Sequence, residues 1–208
     1  MVLLCLNQGQ FASLNCSQQR AVLALPPEEK LKHGDKRMIG KLFYGTQTGT
    51  TEDVARRIGE NLPELIVECR NIYGVKKEEF VGADLLILGG STWGDGELTD
   101  DWQDSLLILD TLDLTGKTVA LFGLGDQVGY CYNFVSAMKL LYDKVRERGA
   151  RIIACDISAD EFDFEHSESL IEGKFIGLVL DEVNQPHKTD ERIRQWSRKV
   201  RECVGAIA

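Results

Sequence analysis

Apolar runs and helical patterns alternate along the chain from Met38 onward. Short, almost wholly apolar stretches are typical of strands buried on both faces, and they occur at 38–44, 65–69, 83–89, 117–124 and 151–157. Between these stretches apolar residues recur three or four apart, which predicts helices at about 51–62, 99–112, 133–148 and 189–204, with a turn or short helix near 76–81. This alternation predicts an α/β domain with a parallel sheet covered by helices on both faces.

The last part of the pattern is interrupted. A further strand-like run at Phe175–Leu180 is separated from 151–157 by a polar stretch, so we expect an insertion that splits the final strand in two. Trp196 shares the apolar stripe of the last predicted helix with Ile193 and Val200, which favours a core position over a ligand contact. No repeats or second domain are apparent.

Residues 1–37 differ from the rest of the chain. The first 27 contain no Asp or Glu, and they end in Pro26-Pro27 before a charged segment. No positively charged region precedes the apolar start, which argues against a signal peptide. A weak plastid-type transit peptide, a disordered arm and an upstream start with Met38 as the true one remain open. We therefore expect an N-terminal extension at 1–37, disordered or absent from the mature protein, and one domain at 38–208.

Charge separates the predicted domain from most polyanion-binding proteins. The chain of 208 residues has a net charge of −9, and the part from Met38 on holds 19 basic and 30 acidic residues, a net charge of −11. Such a surface repels nucleic acid and anionic membranes and attracts basic proteins. We expect no nucleic-acid partner and no membrane insertion.

The reactive residue types form no familiar site. The six cysteines show no C-x-x-C or other close pair, and the three histidines are scattered, so we assign no metal and no catalytic residues. The cysteines are typical of free thiols in a reducing compartment.

The stretch Phe43–Asp53 joins the first predicted strand to the first helix. A helix N-terminus at such a turn presents unpaired backbone N–H groups and favours an anion, and small or hydroxyl residues add to this site: Gly45, Thr46, Thr48, Gly49, Thr50 and Thr51. Neither a Walker loop nor a dinucleotide fingerprint is present, and the absence of a lysine suits one terminal phosphate. A simple capping box of Thr50 with Asp53 explains the same residues, so both interpretations remain open from this stretch alone.

Two further loops follow the third and fourth predicted strands. Ligands of open α/β sheets bind at the carboxyl ends of strands, where all three loops must lie. Trp93 stands on the glycine-rich loop 91–97, and Tyr130 stands on a second glycine-rich loop at 123–130. The two aromatic residues could hold a flat ring between them. A phosphate site with two aromatic walls describes a pocket for a phosphorylated planar cofactor, of which FMN is the simplest.

These three motifs, YGTQTGTTE, STWGDGELTDDW and GLGDQVGYCYNF, resemble those of flavodoxins of the long-chain type. The resemblance covers about 39–204, with 158–181 as the long-chain insertion. It implies a three-layer, doubly wound, five-stranded parallel sheet of strand order 2-1-3-4-5. It also implies that Thr46–Thr51 bind the FMN phosphate, that Trp93 and Tyr130 flank the ring, and that residues of the two later loops contact it: Thr92, Gly94, Asp95, Gly96, Leu124, Gly125, Asp126 and Asn133. Gln47 belongs to the phosphate loop.

Two positions depart from the family pattern. Thr50 stands where several relatives have Lys, and Val183 in DEVNQ stands where DEDNQ is familiar. The second change removes a carboxylate that could reach the ribityl chain. We expect both to weaken FMN binding somewhat without removing an essential part of the pocket.

The resemblance implies a low-potential one-electron carrier with noncovalent FMN, not an enzyme. Family members replace ferredoxin, donate to redox enzymes such as ferredoxin–NADP reductase and, in phototrophs, accept electrons from photosystem I. We expect a cytoplasmic monomer, or a plastid protein if 1–37 is a transit peptide. Basic partners would dock on an acidic rim formed by Asp95, Glu97, Asp100, Asp101, Asp104 and Asp126.

Two other functions fit the same fold class. An FMN-dependent NAD(P)H:quinone reductase is the alternative, and it would need room above the ring for nicotinamide. A response-regulator receiver needs an acidic cluster at the end of the first strand, where this chain has Gly45-Thr46. We therefore place the carrier first and the receiver last.

Overall fold

A computed structural model describes residues 38–207, so the expectation for 1–37 lies outside the described residues. The strands of its main sheet are β1 (Gly40–Gly45), β2 (Ile66–Asn71), β3 (Leu85–Ser91), β4 (Thr118–Leu124), β5 (Arg151–Ile152) and β9 (Leu178–Leu180), numbered in chain order. The sheet is parallel throughout, with the order β2-β1-β3-β4-β5 and with β9 also paired to β4. The predicted fold class and strand order are confirmed.

Within residues 38–207, five α-helices cover the two faces of this sheet: α1 (Thr50–Glu60), α2 (Lys77–Val81), α3 (Gln103–Leu109), α4 (Ala137–Glu147) and α5 (Thr189–Gly205). Helices α1 and α5 pack with one apolar cluster, which includes the buried Trp196. Helices α2, α3 and α4 contribute to the cluster on the other face. Because both faces are covered, β3 and β4 are buried along nearly their whole length. No helix among residues 38–207 is long and apolar enough to span a membrane.

The final strand is split, as the sequence predicts, but its first half is shorter than expected. Only β5 of the predicted strand 151–157 joins β4, where Ile152 pairs with Val119. Leu178 of β9 pairs with Phe122 in the main sheet, so the insertion ends at Gly177 and not at 181 as expected. The first half ends because Ala154 and Asp156 have φ angles of 52° and 65°, which no strand accommodates. Because the final strand is present as the two pieces β5 and β9, the described main sheet has six strands where the sequence predicts five.

The insertion carries its own small antiparallel sheet of order β6-β8-β7, which the sequence does not predict. Its strands are β6 (Ile157–Ser158), β7 (Leu170–Ile171) and β8 (Lys174–Phe175). The predicted helix at 99–112 is also shorter, because it opens with a 3-10 turn at Asp100–Trp102 before α3. Another 3-10 turn, Pro186–Lys188, precedes α5.

Gly45 is the last residue of β1, and the indole ring of Trp102 packs closely against it. Trp102 is completely buried and donates its indole N–H to the carbonyl oxygen of Gly89, at 3.2 Å. A Cβ atom on Gly45 would lie 2.5 Å from Cδ1 of Trp102 and closer still to Oγ1 of Thr99. Packing against this indole therefore explains Gly45 better than the ligand contact expected from the sequence.

Gly45→Ala should lower the free energy of unfolding by about 1 to 3 kcal/mol, because the added methyl overpacks a site closed by buried groups. Gly59→Ala is the matched control. Gly59 lies inside α1, and a Cβ atom there would be 3.9 Å from Cβ of Cys69, an ordinary van der Waals contact. That variant should gain roughly 0.5 to 1 kcal/mol from helix propensity. Denaturant unfolding measures both, and equal stabilities for the two variants would contradict this account of Gly45.

Candidate functional site

Three loops at the carboxyl ends of β1, β3 and β4 meet at one cleft of about 230 Å³. Its lining includes nine residues named from the sequence: Thr48, Thr50, Thr92, Trp93, Gly94, Leu124, Gly125, Asp126 and Tyr130. Ser91, Glu182 and Val183 complete the lining. Seven other expected contacts stand on the same loops or beside them without lining the cleft: Thr46, Gln47, Gly49, Thr51, Asp95, Gly96 and Asn133.

The loop after β1 presents backbone amides and hydroxyls to the cleft. Gly49 is the N-cap of α1 with a φ angle of 88°, and no side chain in the described part of the chain caps this helix end. The first amides of a helix lack intrahelical acceptors, so they are available to an anion. The hydroxyl oxygens of Thr48 and Thr50 lie 3.2 Å apart, and none of the described lining residues is Lys or Arg. This arrangement suits one anionic group held by neutral donors.

The capping box expected as the plain explanation of this loop is wrong. Thr50 is the first residue of α1, and Asp53 is engaged elsewhere, by Arg56 at 2.6 Å and by Arg57 at 3.4 Å. The hydrogen bond from Arg56 lowers the pKa of Asp53 despite the opposing effect of burial. Arginines three and four residues further along the helix outcompete the backbone for this carboxylate.

The loop after β3 holds Trp93 at the cleft by a tight turn. Trp93 and Glu97 exchange two backbone hydrogen bonds, at 2.9 and 2.8 Å. Gly94 and Gly96, with φ angles of 48° and 103°, close the turn between them, as the glycines of this loop predict. The indole N–H donates to Oγ of Ser91 at 2.8 Å, which fixes the ring.

Aromatic surface is left open at the cleft. Trp93 is 38% exposed and Tyr130 is 58% exposed, although both rings are large enough to be core residues. Exposed aromatic groups that line a concave site favour a flat, largely apolar ligand. The cleft therefore combines neutral anion donors at one loop with aromatic walls at the other two.

Asp126 organises the loop after β4. Its Oδ1 accepts hydrogen bonds from the amides of Val128 and Gly129, at 3.0 and 2.8 Å, and from the side chain of Asn184, at 2.8 Å. Burial alone would raise the pKa of Asp126, but these three donors outweigh burial and hold the pKa below its ordinary value. Asp126 thus joins this loop to the segment after β9.

Asp181 is a site residue that the sequence analysis missed. It is fully buried, and its Oδ2 accepts hydrogen bonds from the backbone and side-chain nitrogens of Gln127, at 3.1 and 2.8 Å. Its Oδ1 accepts the amides of Val183 and Asn184, at 3.0 and 2.8 Å. The carboxylate therefore fixes both the loop after β4 and the DEVNQ segment that supplies Glu182 and Val183 to the cleft.

The six acids of the expected rim divide into two groups. Asp95, Glu97, Asp100 and Asp104 are exposed. Asp101 instead accepts the amide of Thr46 at 2.9 Å and the side-chain amide of Asn71 at 2.7 Å, and Asp126 is engaged as described. We therefore reduce the rim available to a partner to the four exposed acids.

The four thiols in the described part of the chain offer no alternative chemistry at the cleft. Cys69, Cys131, Cys155 and Cys203 are free, and none of them lines the cleft. Burial, followed by the charge of Glu52, raises the pKa of Cys69 to about 12, so this thiol stays protonated at neutral pH. Within residues 38–207 no group of three or more His, Cys, Asp or Glu could hold a metal.

Comparisons with known proteins give one consistent result. The family model described as Flavodoxin matches residues 42–196. Flavodoxin from Nostoc sp. is 41% identical over 164 residues, which is 79% of this chain and 96% of that protein. Flavodoxin 1 from Azotobacter vinelandii is 41% identical over 162 residues, which is 74% of this chain and 91% of that protein.

Comparison of the fold with solved structures also finds flavodoxins. Fusobacterium nucleatum flavodoxin bound to flavin mononucleotide has a TM-score of 0.74 and is 33% identical, with 79% of this chain and 98% of that chain covered. A variant of the same flavodoxin, also bound to flavin mononucleotide, gives a TM-score of 0.75 at 35% identity.

The donors around Asp126 can be tested by titration. Asn184→Ala removes one donor, so the pKa of Asp126 should rise toward its ordinary value of about 3.9. Because the folded-state pKa is the lower one, the stabilisation is complete well above the unfolded-state pKa and is lost as the pH falls through the folded-state pKa. Carbon NMR of the carboxyl group measures the pKa in both proteins, with Asn61→Ala as a remote control. An Asp126 pKa unchanged by Asn184→Ala would contradict the assignment.

Proposed function

The chain belongs to the flavodoxin family, and we propose that it carries single electrons with FMN bound noncovalently in the cleft described above. It is an electron-transfer protein and not an enzyme. FMN supplies the redox chemistry, since its ring can accept and release electrons one at a time. The protein contributes binding, orientation and the electrostatic environment.

The observation that carries the proposal is the joint presence of an uncapped helix end and open aromatic walls in one cleft. The hydroxyls of Thr48 and Thr50, with the first amides of α1, would hold the phosphate. Trp93 and Tyr130 would cover the ring, and the loops 92–96 and 124–133 would contact its edges. For the contacts expected from Thr46, Thr51 and Asn133, the support is their position on these loops, and they remain part of the proposal.

The quinone-reductase alternative is not favoured, because the relatives found are flavodoxins. A receiver is equally unsupported, because β1 ends at Gly45-Thr46 instead of at an acidic cluster. Among the described residues we find no feature that calls for either function.

The partners we propose are redox proteins with basic docking surfaces, such as ferredoxin–NADP reductase and, in a phototroph, photosystem I. The support is the strongly acidic domain, with a net charge of −11 from Met38 on, and four exposed acids on the segment that carries Trp93 and the residues after it. We propose that the protein acts as a cytoplasmic monomer, or in a plastid if 1–37 is a transit peptide.

Thr48→Asp tests the phosphate site. At an effective dielectric of about 20, two like charges about 5 Å apart repel by about 3 kcal/mol, which is roughly a hundredfold in a dissociation constant. We expect FMN binding to weaken by about that factor, measured by quenching of flavin fluorescence. Thr48→Asn is the matched control of similar size without the charge. Riboflavin, which has no phosphate, should bind both variants equally well. Equal FMN affinity of the two variants would show that the phosphate lies elsewhere.

Neutralising the exposed rim tests the docking surface. Replacing its acids by amides, with Asp95→Asn, Glu97→Gln, Asp100→Asn and Asp104→Asn together, should slow association with a basic reductase by about tenfold at low salt. The difference should shrink above about 0.15 M salt, where the Debye length is about 8 Å. Stopped-flow mixing measures the rate. As a control, four exposed acids outside the rim and the cleft lining are neutralised: Glu78, Asp113, Glu147 and Glu202. An equal loss of rate in that control would indicate a net-charge effect with no local surface.

A further inference from the structure

The insertion lies directly against the loop after β4. The amides of Glu165 and His166 both donate to the carbonyl oxygen of Cys131, each at 3.0 Å, and the carbonyl oxygen of His166 accepts the amide of Phe134 at 3.2 Å. Phe162 and Phe164 pack on the ring of Phe134, with centroids 5.3 and 5.2 Å away. The segment 162–166 therefore backs the loop that carries Tyr130. None of the cleft-lining residues belongs to the insertion.

Gln127 joins three parts of the molecule through one buried side chain. It is only 3% exposed, and its Nε2 donates to Oδ2 of Asp181 at 2.8 Å. Its Oε1 accepts the backbone amide of Asp163 at 2.7 Å. The side chain thus links the loop after β4 to the end of β9 on one side and to the insertion on the other.

The carboxamide satisfies both contacts at once, because its NH2 group is the donor that Asp181 needs and its oxygen is the acceptor that the Asp163 amide needs. A carboxylate at this position would face the buried carboxylate of Asp181, and an apolar side chain would leave a buried oxygen and an amide with fewer partners. Buried polar links that are fully satisfied rigidify the elements they join.

We propose that Gln127 is a positioning residue that couples the insertion to the cofactor loop, so that binding of FMN orders the segment 162–166 without touching it. The proposal rests on the proposed function, because it requires FMN to order the loop after β4. Gln127 acts through Asp163 on one side and through the loop backbone on the other, and the coupling is reciprocal.

Amide hydrogen exchange of the full-length chain, with and without FMN, tests this coupling. FMN should slow exchange of the Asp163, Glu165 and His166 amides by about tenfold in the wild type. Only amides that exchange faster than global unfolding are scored, because a ligand slows global exchange everywhere. Gln127→Met, which keeps the length and removes both polar contacts, should abolish the slowing at the Asp163 amide, whose acceptor is Gln127. It should reduce the slowing at the Glu165 and His166 amides, which also bond the carbonyl oxygen of Cys131 directly.

Gln185→Met is the matched control. Gln185 also bonds the insertion, through Nε2 to the carbonyl oxygen of Glu161 at 2.9 Å, but it is not part of the loop after β4. Its replacement should leave the FMN-dependent slowing intact. Gln127→Asn, which keeps the amide and shortens its reach, is a second variant and should lose the slowing as Gln127→Met does.

The outcomes separate the two proposals. If FMN does not bind the wild type, as fluorescence quenching would show, the proposed function fails. If FMN binds and the three insertion amides are not slowed, or if they are slowed equally in Gln127→Met, the coupling through Gln127 is wrong. The wild-type measurement alone can overturn the proposal, even where a variant does not fold.

Discussion

The shape of the cleft depends on how the buried charge of Asp181 is satisfied. An unpaired carboxylate in a protein interior is costly, so it must collect hydrogen bonds from whatever surrounds it. Here the donors of its hydrogen bonds are amides: the backbone nitrogens of Gln127, Val183 and Asn184, and the side chains of Gln127 and Asn184. Because these donors belong to two separate segments, satisfying one charge fixes the distance between them. Two walls of the cleft are thereby held by a single side chain.

At the end of the cleft beside α1 the situation is reversed: among the described residues, hydrogen-bond donors are present without a charged acceptor. The first amides of α1 have no intrahelical acceptors, and the lining side chains beside them are the neutral Thr48 and Thr50, although Glu52 and Asp53 lie in the same first turn. Both basic residues of α1 are paired with acids: Arg56 with Asp53 and Glu60, and Arg57 with Asp53 and Asp190. An anion held at this end of an acidic protein would therefore meet neutral donors, with no Lys or Arg among the described residues that line the cleft. The same acidity opposes the addition of electrons to a bound cofactor, which is why an acidic surface accompanies a low reduction potential.

The sequence predicted those parts that depend on local pattern. Apolar runs identified β1, β3 and β4 and the loops that follow them, because strands covered on both faces are apolar throughout. The end of β5 escaped prediction, since it depends on positive φ angles at Ala154 and Asp156 that no apolar pattern encodes. Asp181 escaped for a different reason. Its partner Gln127 lies 54 residues away, and a single Asp after a strand has no periodicity to reveal it.

The surface around the cleft suits brief encounters better than lasting ones. Val128 and Val183 are each 68% exposed beside the aromatic walls, so a small apolar patch with acids on the neighbouring turn borders the cleft. At Val183 this chain has an apolar group where the familiar motif DEDNQ has a carboxylate. The surface around the cleft is therefore slightly more apolar and less acidic than that motif would make it. Long-range charge sets the rate and orientation of approach, whereas the affinity depends on the buried apolar centre. A carrier must release its partner after each transfer, and a small apolar patch with a charged border gives fast association without tight binding.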